Sequence, residues 1–82
     1  MNIYVGNLDY KATEDSLRQI FENYGSVSSV KIIYDKYNGR SKGFGFITMD
    51  NDNEAKKAIQ ELNNSEYLSR TIVVNEAREK GR

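Results

Sequence analysis

Two phenylalanines and a lysine alternate with other residues in the stretch from Lys42 to Met49. If this stretch is a β-strand, Lys42, Phe44 and Phe46 share one face, because alternate residues of a strand face opposite ways. Ile47 and Met49 then lie on the other face, which is the natural choice for the core. Two aromatic rings beside a cation would be left facing water, where they suit a flat ligand that carries negative charge. Single-stranded nucleic acid fits this description, because its bases stack on rings and its phosphates bind cations.

The same two phenylalanines have a second interpretation. Large aromatic residues are mostly buried, so Phe44 and Phe46 could pack inside a sheet that is covered on both faces. Gly43 and Gly45, which separate the rings, indicate that something approaches the backbone closely. Under the first interpretation that neighbour is the ligand. The glycine pair does not form a phosphate-binding loop, since it lies inside a strand with no helix after it and no Lys-Ser/Thr pair.

The composition excludes several kinds of chemistry. The chain has 82 residues, enough for one domain, and contains neither cysteine nor histidine. Disulfides, thiolate or imidazole metal sites, cysteine nucleophiles and a histidine base are therefore excluded. We expect no metal, no cofactor and no enzymatic activity. Because no apolar run approaches the ~20 residues of a membrane span and no signal peptide is evident, we expect a soluble, cytoplasmic protein without membrane contact.

Charged residues are unevenly spread along a chain whose formal net charge is +0. Residues 27–48 hold four cations and one acid, whereas residues 49–66 hold two cations and five acids. If the basic segment forms strands and the acidic segment a helix, the sheet is positively charged and the helical side negatively charged. A mixed, solvated surface is the alternative.

Two amphipathic helices are predicted. The first follows an N-cap at Thr13 and ends at Gly25, with an apolar stripe formed by Leu17, Ile20, Phe21 and Tyr24. The second begins near Asn51 or Asp52, ends at Asn63-Asn64, and has the same stripe in Ala55, Ala58, Ile59 and Leu62. Each helix therefore has one apolar face to bury.

Strands account for the other regular segments. Ile3 to Val5 opens the chain, with Tyr4 facing away from the core. A strand from Val27 to Ile33 should form a hairpin with the aromatic strand across the turn signal Asn38-Gly39. The last strand is predicted from Thr71 to Val74, with inward residues Ile72 and Val74 and outward residues Val73, Asn75 and Ala77.

The predicted order is strand, helix, strand, strand, helix, strand, which indicates an α+β fold. Because each helix has one apolar stripe, both can cover only one face of a four-stranded sheet, and the other face stays open to solvent. Tyr4, Phe44 and Phe46 then share the open face. This arrangement favours a binding platform over a buried pair.

Two segments resemble the ribonucleoprotein signatures of the RNA recognition motif family. The longer signature is similar to Lys42-Gly43-Phe44-Gly45-Phe46-Ile47-Thr48-Met49, and the shorter one to Ile3-Tyr4-Val5-Gly6-Asn7-Leu8. The likeness is to small single-motif RNA-binding proteins of bacteria and to the motif of glycine-rich RNA-binding proteins. It implies a ferredoxin-like βαββαβ domain over residues 1–78, with an antiparallel sheet ordered fourth, first, third, second, and a short charged tail at residues 79–82. Met49 departs from the aromatic residue usual at its position, and its parity directs it inward.

The resemblance also implies roles for the open face. Tyr4 and Phe46 would each stack a base, while Phe44 would lie against the sugars between them. Lys42 would pair with a phosphate.

Further candidates for RNA contact lie near the ends of the strands. Asn75 and Ala77 would offer side-chain and backbone hydrogen bonds to base edges. Arg40 at the hairpin and Arg78 just past the sheet are additional cations. The sequence therefore predicts a monomeric, non-catalytic ribonucleoprotein module that binds about two to four nucleotides of single-stranded RNA. Single-stranded DNA is an alternative ligand, because stacking does not distinguish the two, and a protein-interaction domain of the same fold is an alternative function.

Overall fold

Residues 1–77, which the computed structural model describes, form a four-stranded antiparallel sheet with two helices on one face. In chain order the elements are β1 (Asn2–Gly6), α1 (Glu14–Glu22), β2 (Val27–Tyr34), β3 (Ser41–Met49), α2 (Asp52–Leu62), β4 (Glu66–Tyr67), β5 (Arg70–Thr71) and β6 (Val73–Glu76). The main sheet has the order β2-β3-β1-β6, so β1 and β3 are its central strands. The ferredoxin-like architecture and the expected strand order are confirmed.

Helix α1 begins as its sequence predicts and ends earlier. The Thr13 hydroxyl accepts a hydrogen bond from the Ser16 amide at 3.1 Å, and the Thr13 amide donates back to the Ser16 hydroxyl at 3.2 Å. This reciprocal pair satisfies amides that have no partner within the helix. The helix ends at Glu22, before the predicted end at Gly25, because the amide of Tyr24 bonds to the carbonyl of Phe21 in a tighter final turn.

Helix α2 has the predicted bounds. The Asn51 side chain caps it by accepting a hydrogen bond from the Glu54 amide at 3.0 Å. At the other end, Asn64 has a φ of 67°, the left-handed conformation that asparagine tolerates. The alanines Ala55 and Ala58 are fully buried, so the helix packs closely on the sheet.

A small hairpin between α2 and the last strand was not predicted. Strands β4 and β5 pair through Tyr67 and Arg70, and the turn between them has positive φ at Leu68 (52°) and Ser69 (69°). The predicted start of the last strand at Thr71 is therefore wrong, because Thr71 pairs within this hairpin and β6 starts at Val73.

The core lies between the helices and the covered face of the sheet. It consists of buried apolar residues from both layers, namely Ile3, Val5, Leu8, Ala12, Leu17, Phe21, Ile32, Ile47, Met49, Ala55, Ala58, Leu62, Ile72 and Val74. The predicted inward direction of Ile47 and Met49 is confirmed, since both are 0% exposed. Neither helix in residues 1–77 has the length and apolar character needed to cross a membrane.

Candidate nucleic-acid interface

Three aromatic rings form a cluster on the open face, the face of the sheet that the helices leave uncovered. Tyr4 comes from β1, and Phe44 and Phe46 come from the adjacent strand β3. The ring centroids are 6.0 Å apart for Tyr4 and Phe44, 5.9 Å for Tyr4 and Phe46, and 6.1 Å for the two phenylalanines. These distances lie in the range of favourable aromatic contacts. The rings support one another, and we call the three together the ring platform.

The platform is accessible even though its rings touch. Phe46 is 38% exposed, and Tyr4 and Phe44 are half-buried. Their positions confirm that the rings face away from the core, and the buried-pair interpretation is wrong because no helix of the described chain covers this side. A planar ligand can therefore reach the rings without any rearrangement of the fold.

One row of residues crosses all four strands of the sheet through the platform. Tyr4 pairs with Phe46 on one side and with Asn75 of β6 on the other. Phe46 in turn pairs with Lys31 of β2. Lys31 and Asn75 are both exposed, so the row presents a cation, two rings and an amide in sequence.

Lys31 was not among the residues predicted to bind a ligand. Its position opposite Phe46 depends on the register of the β2–β3 hairpin, which has an irregularity between Ile32 and Tyr34. Counting outward from a two-residue turn at Asn38-Gly39 nevertheless gives the same pair, so the predicted hairpin could have identified Lys31 as the neighbour of Phe46.

A second row begins at Phe44 and passes beneath the ring of Tyr4. Phe44 pairs with Gly6, and Gly6 pairs with Val73, which is 37% exposed. The ring of Tyr4 lies over Gly6, since a Cβ at Gly6 would be 2.8 Å from two of the ring carbons. Glycine at this position lets the Tyr4 ring lie close to the backbone on the side of Phe44.

The glycines of β3 have a different role from the predicted one. A Cβ on Gly45 would lie 2.5 Å from the backbone oxygen of Lys31, so the neighbour that requires glycine is strand β2. Gly43 has a φ of 85°, and its carbonyl accepts a hydrogen bond from the Leu8 amide at 2.8 Å. A Cβ on Gly43 would meet only the Leu8 backbone oxygen, at 3.4 Å, so its positive φ and not a close neighbour favours glycine there. The structure therefore gives each glycine a role within the fold, and the prediction that a ligand approaches Gly45 is wrong because strand β2 occupies that position.

The end of β6 offers fewer groups than predicted. The amide of Ala77 donates to the carbonyl of Asn2 at 2.8 Å, which leaves its carbonyl oxygen as the available backbone group. Asn75 makes no side-chain hydrogen bond within residues 1–77, and its amide remains able to meet a base edge. Arg78, the remaining candidate at this end, lies outside the described residues.

A cleft adjoins the platform where β1 runs into the loop before α1. We call it the loop cleft, and its lining includes the platform residues Tyr4 and Phe44 together with Asn7, Tyr10, Lys42 and Arg70. Lys42, predicted to bind phosphate, is exposed at the junction of cleft and platform. Arg40 lines a neighbouring cleft that shares Tyr10 and Lys42 with the first.

Charge in this region is predominantly positive. Two cations, Lys42 and Arg70, line the loop cleft, and none of the described residues lining it is acidic. The neighbouring cleft contains Asp35 beside Arg40. Within residues 1–77 there is no group of three or more acidic, histidine or cysteine side chains that could hold a metal ion.

Comparisons with known proteins relate the chain to one family. A family model described as RNA recognition motif matches residues 3–73. The protein RbpB of Nostoc sp. (strain PCC 7120) is 46% identical over 78 residues, which cover 95% of this chain and 76% of RbpB. The crystal structure of RNA Binding Protein PG1 superimposes with a TM-score of 0.94 at 45% identity, over 100% of this chain and 99% of PG1. The Rna15 RRM with bound RNA (GU) superimposes with a TM-score of 0.85 at 28% identity, over 95% of this chain and 83% of that one.

Proposed function

Because the chain belongs to the RNA recognition motif family, we propose that it binds single-stranded RNA across the open face without catalysing a reaction. About two to four nucleotides lie on the sheet. Tyr4 and Phe46 each stack one base, and Phe44 contacts the sugars between them. The platform lies within one chain, so binding requires no second copy.

The single observation that carries this proposal is the triangle of rings on an uncovered sheet face, with centroids 5.9–6.1 Å apart. Bases stack on aromatic side chains with a contribution of about 1–3 kcal/mol each. The rings touch one another and are fixed by neighbouring strands, so little side-chain freedom is lost when a base binds. The relation to a solved domain that contains bound RNA supports the same ligand.

Polar groups around the platform bind the rest of each nucleotide. Lys42 pairs with a phosphate, and Lys31, opposite Phe46, contributes a second cation. Asn75 and the carbonyl of Ala77 bind base edges near Tyr4, because Asn75 is the cross-strand partner of that ring. Arg40 contributes where the RNA extends toward the hairpin.

The proposed domain extends over residues 1–78, with a short charged tail at residues 79–82. Arg78 at its end is a further RNA contact in this proposal. Both the boundary and Arg78 lie outside the described residues.

With so few phosphate contacts, binding depends only moderately on salt. Each contact contributes ~0.7 to the slope of log affinity against log salt for single strands, so the slope should be about −1.5 to −3. A slope near −6 would mean that cations dominate and the rings contribute little.

The proposal is tested by fluorescence anisotropy with labelled random-sequence RNA and DNA of equal length. Phe46→Ala should weaken RNA binding ~5–100-fold, because one stacked base is lost. The matched control is Tyr37→Ala, which removes a 90% exposed ring at the hairpin and should leave binding unchanged. Tighter binding of DNA than of RNA would make single-stranded DNA the ligand. Absence of binding to both would favour a protein-interaction domain.

A further inference from the structure

We infer that the loop cleft binds one additional nucleotide of the same RNA, beyond those on the ring platform. This inference rests on the proposed function, and it adds Tyr10, Asn7 and Arg70 to the site. The cleft has a volume of about 230 Å³ and is open to solvent. Small-molecule pockets usually have volumes of about 300–1,000 Å³. This smaller cleft therefore suits a nucleotide that is tethered to a longer RNA better than it suits a free metabolite.

The loop cleft is continuous with the ring platform. Tyr4 and Phe44 line the cleft and also form two corners of the platform. Lys42, two residues before Phe44 on β3, also lines the cleft. An RNA chain whose sugar lies on Phe44 and whose phosphate is bound by Lys42 therefore has its next nucleotide at the entrance to the cleft.

Tyr10 provides an aromatic surface for this next base. It is 70% exposed, on a loop whose flanking residues Leu8 and Ala12 are buried in the core. Asp9 closes the loop: its carbonyl accepts from the Ala12 amide at 3.0 Å, and its carboxylate accepts from the Lys11 amide at 2.8 Å. The loop is thus held in one conformation, and the nearby carboxylate is engaged by the loop's own backbone.

Arg70 is held beside the cleft by Asn7. Its guanidinium donates to the Asn7 side-chain oxygen at 2.8 Å, and the Asn7 side-chain nitrogen donates to the Thr71 carbonyl at 2.6 Å. Within residues 1–77 Arg70 forms no ion pair. A guanidinium has five N–H donors, so several stay available for a phosphate. The hairpin of β4 and β5 positions this cation.

Backbone conformations around the cleft are unusual. Asn7 has a φ of 58° and Ser69, just before Arg70, has a φ of 69°. Asparagine tolerates this left-handed region, and Ser69 adopts it in the turn between β4 and β5. Asn7 and Ser69, the neighbour of Arg70, therefore fix the backbone at both ends of the contact between Asn7 and Arg70.

The test compares a trinucleotide with an octanucleotide, both labelled random-sequence RNA, by fluorescence anisotropy. The trinucleotide fills the ring platform, and only the octanucleotide reaches the cleft. Tyr10→Ala should therefore weaken octanucleotide binding about 5–50-fold through the loss of one stacked base, and trinucleotide binding less than about twofold. Tyr10→Phe should bind like the parent, because the ring remains.

A second variant tests the cation independently. Arg70→Gln should reduce the salt slope for the octanucleotide by about 0.7, the effect of one phosphate contact, and leave the trinucleotide slope unchanged. Lys57→Gln, which removes an exposed cation from α2, is the matched control and should change neither slope. Tyr37→Ala, which lines neither cleft, is the corresponding control for Tyr10.

The outcomes separate this inference from the proposed function. If Phe46→Ala weakens binding and Tyr10→Ala binds the octanucleotide like the parent, the cleft is not a nucleotide site and the platform remains one. Equal losses on both RNA lengths for Tyr10→Ala, or equal effects of Tyr10→Ala and Tyr37→Ala, would also overturn the inference. If the parent binds neither RNA, the proposed function and the inference both fail.

Discussion

Replacing Gly6 by alanine should displace the Tyr4 ring while leaving the fold intact. Gly6 lies on β1 directly beneath that ring, and a Cβ there would be 2.8 Å from its Cε2 and Cζ atoms and closer still to its hydroxyl oxygen. Carbon atoms do not approach so closely, so the ring must rotate away. Tyr4 would then leave its position beside Phe44 and Phe46.

The expected size of the effect follows from which atoms collide. If the base stacked on Tyr4 is lost, RNA affinity should fall ~5–100-fold, from a stacking contribution of about 1–3 kcal/mol. Stability should change by no more than about 1 kcal/mol, because the obstructed group is the flexible end of a side chain and alanine is itself favoured over glycine in strands by about 0.5–1 kcal/mol.

A double-mutant cycle with Tyr4→Ala provides the decisive assay. Anisotropy titrations measure RNA affinity, and urea unfolding measures stability, for the parent, both single variants and the double variant. In the Tyr4→Ala background, Gly6→Ala should change affinity less than about twofold, since the ring it displaces is already absent. Parent-like affinity of the Gly6→Ala single variant, or an undiminished loss in the double variant, would refute the reasoning.

Three further substitutions test the fold by urea unfolding. Gly45→Ala should lower the free energy of unfolding by about 1–3 kcal/mol, because its Cβ meets the Lys31 backbone oxygen, which cannot move without opening the sheet. Ile47→Ala truncates a 0% exposed core residue and should cost about 2–4 kcal/mol. Thr13→Ala removes the α1 cap and should cost about 0.5–2 kcal/mol. Parent-like stability in any of the three would contradict the packing or capping assigned to that residue.

The sequence predicts those features that depend on local pattern. Alternation along β3 correctly separates Phe44 and Phe46 from the buried Ile47 and Met49. The side chain of Thr13 marks the start of α1, because a hydroxyl before two acids is a typical cap. The open face follows from counting one apolar stripe for each helix.

Features that depend on distant contacts could not be predicted. The β4–β5 turn uses Leu68 and Ser69 at positive φ, where glycine or asparagine would have indicated a turn. The contact between Asn7 and Arg70 joins residues 63 positions apart, and no local pattern indicates it. Gly45 was correctly identified as a site of close approach, but only the register shows that β2 is the neighbour.

The most direct test of the central claim is a titration of the backbone amide NMR spectrum with a random-sequence RNA tetranucleotide. Binding across the open face predicts that the largest shifts occur at Tyr4 in β1 and at Phe44 and Phe46 in β3. Amides in the middle of α1 and α2, on the opposite side of the sheet, should stay unchanged. Shifts concentrated on the helices with β1 and β3 unaffected would contradict the claim that the ring platform is the binding site.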